Sequence, residues 1–303
     1  MPSTSIDDCS IRYRVLGQGV PVVISTGGRG SFERVMPLAE KLATDFRVIL
    51  WDRPTLGRSD LAFKGASDLD MWSDQLVQLL RRLDAWPAYL VAASSGARVS
   101  IRTALRYPDA VKGMFLWLLS GGAVADVLAQ AYYGDAADAA RSGGMESVAR
   151  LPYWADRIRD NPANRGRLLA QSPTEFVDVM CRWAGAIRSE DLLVGVTESD
   201  LARLSIHTAI AAVWDDGGHT RERIERAAAL IPFAELVESP GILEEWQAIR
   251  QKAEIGTGYE LLSPLPGLIG TFILKMQARY LRGDLPVVRT RGAAGSGAGL
   301  PGY

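Results

Sequence analysis

Four short, nearly continuous apolar stretches constrain this chain more than any other feature: VPVVIST (20–26), FRVILWD (46–52), AYLVAA (88–93) and VKGMFLWLLS (111–120). Runs of this length, dense in β-branched and aromatic residues and closed by turn formers, suit strands buried on both faces of a parallel sheet. The segments between them keep helical period. Phe32, Val35, Met36, Ala39 and Leu42 recur on one face, as do Met71, Leu76, Leu79, Leu80 and Leu83. SGARVSIRTALRYP reads as a helix that stops at Pro108. Alternating strands and helices require right-handed crossovers and a mostly parallel sheet flanked by helices, an α/β fold. An alternating outer strand, IRYRVLGQG (11–19), precedes them.

The rhythm breaks after residue 120. From 121 to 202 the chain reads as helical segments with no convincing strand. The β pattern then resumes at HTAIAAVWDD (207–216), followed by a helix at 220–231 and a strand in AELVES (234–239). A helical block between two strands of one sheet is an insertion, which places a core at 1–120 and 203–290 and a helical cap at 121–202. The Gly/Ala/Ser-rich end, 291–303, reads as a flexible tail.

Bulk properties exclude several classes. The 303 residues are 48% hydrophobic and 23% charged, with a net charge of −1 and no block of like charges. No nucleic-acid partner is expected from such a balance. The most apolar segment, LLSPLPGLIGTFILKM (261–276), is shorter than the roughly 18 residues of a spanning helix and carries Pro264 and Pro266, so core or cap packing is expected and no membrane span. The start MPSTSIDDCS lacks a basic region and an apolar core, and Cys9 and Cys181 form no disulfide framework; a cytoplasmic protein is expected. No dinucleotide, phosphate-loop or metal-ligand spacing appears, so no cofactor is expected. A small-molecule substrate is the expected partner, with homo-oligomer formation open.

Three stretches carry a resemblance: VVISTGGRGSFE, VILWDRPTLGRSD and YLVAASSGARVSIRTALRYP, in that order and context. With them, the chain over about residues 11–240 resembles the α/β-hydrolase superfamily, in particular the capped branch of meta-cleavage-product hydrolases and proline-iminopeptidase-like enzymes. The resemblance implies an α/β-hydrolase fold and a serine nucleophile on a sharp strand-to-helix turn. The family's Gly-x-Ser-x-Gly falls on Ala92, Ala93, Ser94, Ser95 and Gly96, with alanine for the first glycine. A register on Ser95 is sterically open, because Ala93 and Ala97 are small; the distance to Pro108 favours Ser94. A plain helix N-cap is the alternative. The Thr26-Gly27-Gly28 turn stands where relatives carry His-Gly-Gly, so the N–H groups of Gly28 and Ser95 are the implied oxyanion donors. Arg29 in that loop reads as an exposed charge or as a contact to an anionic substrate. Asp52 is architectural by the same resemblance.

The triad does not close in the usual way. Relatives place the acid where this chain has Asp216, with Asp215 as the alternative; a turn of Asp-Asp-Gly-Gly without catalytic role is the bland reading. The base is expected as a histidine after the last strand, and there is none; Glu244 stands about there. The chain has only His207, at the wrong end of its strand, and His219, three residues beyond Asp216. Losing the base of a serine triad costs on the order of 10⁶ in kcat, roughly 8 kcal/mol of barrier. His219 and Glu244 are therefore both carried as candidate bases. The reading is a hydrolase for a small hydrophobic ester, lactone or C–C-linked ketone. The rivals are acid–base chemistry of a lyase, cyclase or isomerase on the same fold, and a non-catalytic binding protein. Tyr132, Tyr133, Tyr153, Trp154 and Trp183 in the insertion either line an apolar pocket or pack the cap onto the core.

Overall fold

The computed structural model describes residues 2–212, 218–238, 244–245, 248 and 263–284. Its centre is an eight-stranded sheet: β1 (Ser3–Ile6), β2 (Cys9–Leu16), β3 (Pro21–Ser25), β4 (Arg47–Trp51), β5 (Ala88–Ala93), β6 (Val111–Trp117), β7 (Thr208–Ala211) and β8 (Ala234–Val237), in the order β1-β2-β4-β3-β5-β6-β7-β8. β3 to β8 pair in parallel, while β1/β2 and β2/β4 are antiparallel.

The apolar runs become strands because both of their faces are covered. Val23, Ile49, Leu90, Ala92, Met114 and Leu116 point into one core with α2 (Asp68–Arg82) and α3 (Ser95–Arg106). Their neighbours Val22, Ile24, Val48, Leu50, Tyr89, Val91, Phe115 and Trp117 point into the other, against α1 (Met36–Leu42). The period of two along each strand thus loads both layers, and each large buried side chain stabilises by about 1.5–3 kcal/mol.

β1 has no counterpart in the sequence reading, because STSI offers no apolar alternation. The backbone makes it: Asp7 and Asp8 both take positive φ, 49° and 62°, and join Ile6 to Cys9 through a two-residue hairpin.

Between β6 and β7 lie α4 (Val124–Ala129), a π-helical turn (Gln130–Gly134), α5 (Asp135–Arg150, broken at Gly143–Gly144), α6 (Pro152–Asp160), α7 (Ala163–Leu169), α8 (Pro173–Gly185) and α9 (Glu198–Ala202). α10 (Arg221–Leu230) connects β7 to β8. The prolines of LLSPLPGLIGTFILKM do not interrupt a helix. Pro264 caps α11 (Leu265–Leu281) and Pro266 sits in its first turn, where its missing N–H has no intrahelical acceptor to lose. α11 buries Leu265, Ile269, Phe272, Ile273 and Met276 on the α1 side of the sheet, with Phe272 packed edge-on to Tyr89. No helix among the described residues is long and apolar enough to cross a membrane.

Asp52, at the C-terminal end of β4, ties three segments together. Its Oδ1 accepts from Ser31 Oγ (2.9 Å) and Phe32 N (2.8 Å), and its Oδ2 from Arg58 N (2.9 Å) and Arg12 Nη1 (3.3 Å). A Cβ on Gly57, φ +51°, would stand 2.1 Å from that carboxylate, so only glycine lets the loop close over it. The architectural reading of Asp52 has this geometry behind it.

Both cysteines are free, Cys9 buried and Cys181 exposed. Burial, reinforced by Asp60, pushes the Cys9 thiol up to about 12. A thiolate-directed reagent is therefore expected to label Cys181 alone in the folded protein and both residues in denaturant. Labelling of native Cys9 at a comparable rate would contradict this burial.

Candidate active site

β5 runs straight into α3, and the junction is Ser94. Its φ of 48° and ψ of −115° lie outside the basins open to an L-residue without strain. Such a turn survives only where the surroundings fix it. Ser94 N donates to Trp117 O at 3.1 Å, and Arg98 N donates to Ser94 O at 3.2 Å. Ala92, Ala93 and Ala97 are fully buried, and a Cβ on Gly96 would come within 2.3 Å of Ser25 O. The small residues of AASSGA are the condition for helix and sheet to approach this closely. Ser94 Oγ makes no hydrogen bond to any described residue.

Ser95 is placed differently. It opens α3 in ordinary helical conformation, and its hydroxyl donates to Gly28 O at 2.7 Å while accepting from Arg53 Nη2 at 3.2 Å. Arg53 Nη2 also donates to Thr26 O and Gly28 O, both at 3.0 Å. These bonds hold the Thr26–Gly30 loop against the elbow, where a Cβ on Gly27 would lie 3.4 Å from Ser94 Cβ. Gly28 takes φ +54° with open space around it. The N–H of Gly28 donates to no described residue, and the N–H of Ser95 belongs to the first helical turn, which has no intrahelical acceptor.

Asp216 and Asp215 lie outside the described residues. His219 is half-buried in the segment leading into α10. Its neighbour Gly218 accepts from Gly121 N (3.3 Å) and Arg223 Nη1 (3.2 Å). Gly121 follows the end of β6, the strand to which Ser94 N is bonded, so His219 and Ser94 share the C-terminal edge of the sheet. Glu244 is exposed, and the adjacent Glu245 binds Ser263 N and Oγ at 2.8 and 2.6 Å. His207 sits before β7 at the opposite edge, its ring 5.1 Å from that of Phe233. Burial, then Arg279, pushes the His207 imidazole down.

The helical block contributes the aromatics. A cavity of about 10 Å³, room for one water molecule, is lined by Arg29, Asp68, Trp72, Tyr133, Tyr153, Trp154 and Trp183 among others. Arg29 is not the exposed charge that its loop position suggests. Its guanidinium stacks on Tyr132 and Tyr153, with 4.1 and 4.4 Å to the ring centroids, and donates to Tyr132 O. Tyr133 OH donates to Asp68 Oδ2, and Tyr153 OH to Thr55 O. Tyr133, Tyr153, Trp154 and Trp183 thus line the cavity, while Tyr132 packs against Arg29 of the core.

Three charged residues at this junction escaped the sequence reading. Arg53, Asp68 and Arg98 are 2%, 3% and 3% exposed. Burial pushes the Arg53 guanidinium down to about 10, with Asp68 opposing the shift and Arg98 adding to it. Nothing in the sequence marks them, since a charged residue in an amphipathic helix or loop ordinarily faces water. Among the described residues no three His, Cys, Asp or Glu side chains converge as metal ligands.

A family model described as "alpha/beta hydrolase fold" matches residues 20–137, the span from β3 through the elbow into the helical block. The chain has the α/β-hydrolase fold. The uncharacterized hydrolase YraK of Bacillus subtilis is 30% identical over 110 residues, covering 36% of this chain and 41% of that protein. The chain thus spans about two fifths of that relative. The match to the putative carbamate hydrolase RutD of Azorhizobium caulinodans is longer: 26% identity over 223 residues, 71% of this chain and 81% of the relative. Among solved structures, the enol-lactonase of Burkholderia xenovorans LB400 has the same fold. It overlays with a TM-score of 0.55 at 19% identity, over 83% of this chain and 97% of the lactonase.

Proposed function

We propose that this α/β-hydrolase cleaves a small ester, lactone or related acyl compound through Ser94, beneath a cap formed by 121–202. The observation that carries the reading is the strained backbone of Ser94, at the one turn where a free hydroxyl meets a glycine loop with an uncommitted N–H. Strain of this kind costs on the order of 1–3 kcal/mol and persists where function requires it.

In this reading Ser94 Oγ adds to the substrate carbonyl carbon as its proton passes to a base. The carbonyl oxygen, now negative, accepts from the N–H groups of Gly28 and Ser95. Collapse of the adduct expels the alcohol, which takes the proton, and water then cleaves the acyl-serine. His219 is the proposed base, because it stands on the same sheet edge as Ser94, with Asp216 the proposed acid; Glu244 is the alternative base. The missing histidine after β8 favours a second reading, acid–base chemistry without a covalent intermediate.

A panel of 4-nitrophenyl esters and aliphatic lactones separates these. Turnover by the wild-type protein that falls by at least about 10³-fold in His219→Ala is expected for a histidine base. Retention in that variant with loss in Glu244→Gln moves the base to Glu244. No turnover of any ester or lactone overturns the hydrolase reading, and activity that survives Ser94→Ala establishes the non-covalent one.

A further inference from the structure

A second cavity opens at the edge of the sheet opposite Ser94. It measures about 290 Å³, against about 10 Å³ beneath the helical block, and lies where β7 and β8 begin, against the C-terminal half of α11. That is close to the lower end of the roughly 300–1,000 Å³ that small-molecule sites span.

Helical period sets one wall. Phe272, Met276 and Arg279 recur at i, i+4 and i+7 on α11, so a single stripe faces the two strands. Opposite stand His207, Phe233 and Glu235. The strand pairing fixes Phe233, since Thr208 N donates to Phe233 O at 3.0 Å. Its ring is half-exposed and lies 5.1 Å from that of His207, tilted by 44°. Phe272 and Met276 are buried and form an apolar floor.

The charges around the cavity do not cancel. Glu235 is paired with Lys275 Nζ, one turn before Arg279 on α11. Arg279 is half-buried, and among the described residues no hydrogen bond or ion pair engages its guanidinium. The His207 ring likewise has no hydrogen bond to a described residue. Arg279 nevertheless lies close enough to His207 to act on its ionisation. The cavity thus holds one uncompensated positive charge and donors without a protein acceptor, set beside aromatic and thioether surface.

We infer that this cavity binds a small aromatic carboxylate, with the carboxylate on Arg279 and His207 and the ring against Phe233, Phe272 and Met276. The inference does not rest on the reading of Ser94, which lies at the other edge of the sheet. One negative charge matches the one unpaired cation, and a guanidinium fork meets both carboxylate oxygens in one plane. A phosphate dianion would face the Glu235 carboxylate in the same wall. An aliphatic acid would forgo the ring contacts that Phe233 and Phe272 offer and the sulfur–aromatic contact of Met276.

The chain has only two histidines, His207 and His219, which makes the test direct. Protein labelled with ¹³C at histidine Cε1 gives two signals, assigned with His219→Ala, and one of them reports each edge of the sheet. Benzoate is expected to move the His207 signal saturably and to leave His219 in place. It is also expected to raise the titration midpoint of His207. The bound carboxylate offsets Arg279 and Lys275 on α11, which push the imidazole down, and acts in the same direction as Glu235 on β8. Benzamide, the uncharged analogue, and inorganic phosphate are expected to leave the His207 signal where it is. In Arg279→Met, benzoate is expected to bind on the order of 10- to 100-fold more weakly, the loss of a hydrogen-bonded charge.

No saturable movement of His207 with benzoate overturns the inference, as does movement of His219 alone, which puts benzoate at the elbow. If both signals move, the inference stands only if Arg279→Met abolishes the His207 response and spares that of His219. Equal binding of benzamide removes the role of Arg279, and an equal response to phosphate overturns the assignment to carboxylates. Both comparisons use the wild-type protein, so they decide the matter even if Arg279→Met fails to fold.

Discussion

Replacing Ser94 with alanine is expected to lower kcat for any ester this protein cleaves by on the order of 10⁶, about 8 kcal/mol of barrier. The fold should tolerate the change, because Ser94 Oγ bonds to no described residue. Its backbone is held by Trp117 O and by the following helix, not by the hydroxyl. Tm should therefore stay near that of wild type, or rise, since alanine keeps the elbow geometry. The companion variant Ser95→Ala should behave in the opposite way. It removes a hydrogen bond to Gly28 O and an acceptor for Arg53, which loosens the glycine loop without removing a nucleophile. A loss of tens-fold rather than millions-fold is expected. Steady-state kinetics on both variants, with the residual rate compared to uncatalysed hydrolysis, makes the distinction. Equal losses in the two variants would contradict the assignment of separate roles.

The largest expected effect on stability is at Asp52. Asp52→Ala strips acceptors from Ser31 Oγ, Phe32 N, Arg58 N and Arg12 Nη1 at one stroke. The Asp52 side chain is 0% exposed and that of Arg12 7%, so the pair is shielded from water. Breaking one partner of a buried pair costs about 3–5 kcal/mol. Arg12 keeps its bond to Glu33, which places the expectation at the lower end of that range. Equilibrium urea unfolding reads the change as a lower midpoint at unchanged slope. A loss below about 1 kcal/mol would mean that the three loops meeting at Asp52 do not depend on it. Asp52→Asn is no rescue, because its amide presents donors to Phe32 N–H or Arg58 N–H.

The parts legible in the sequence are those whose physics is local. AYLVAA reads as a strand because six consecutive buried residues need both faces covered, and it forms Ala88–Ala93. AASSGA reads as a tight turn because its neighbours are small, and that smallness is what Gly96 needs against Ser25 O. Other features depend on partners distant in the chain. STSI pairs with residues 9–12 because two aspartates accept positive φ, a backbone property that composition hides. Arg29 faces water by its sequence context but is drawn onto Tyr132 and Tyr153, more than 100 residues on, by their ring faces. Arg98 sits in an unremarkable helical sequence. Only the fold shows that α2, α3 and the helical block enclose it.

The most direct measurement is covalent. The protein would be treated with a fluorophosphonate, digested, and the adduct placed by tandem mass spectrometry within the peptide LDAWPAYLVAASSGAR, which holds both serines. The account predicts one stoichiometric adduct, on Ser94, absent after denaturation before treatment and absent in Ser94→Ala. An adduct on Ser95, or none on a folded protein that still turns over an ester, would contradict it.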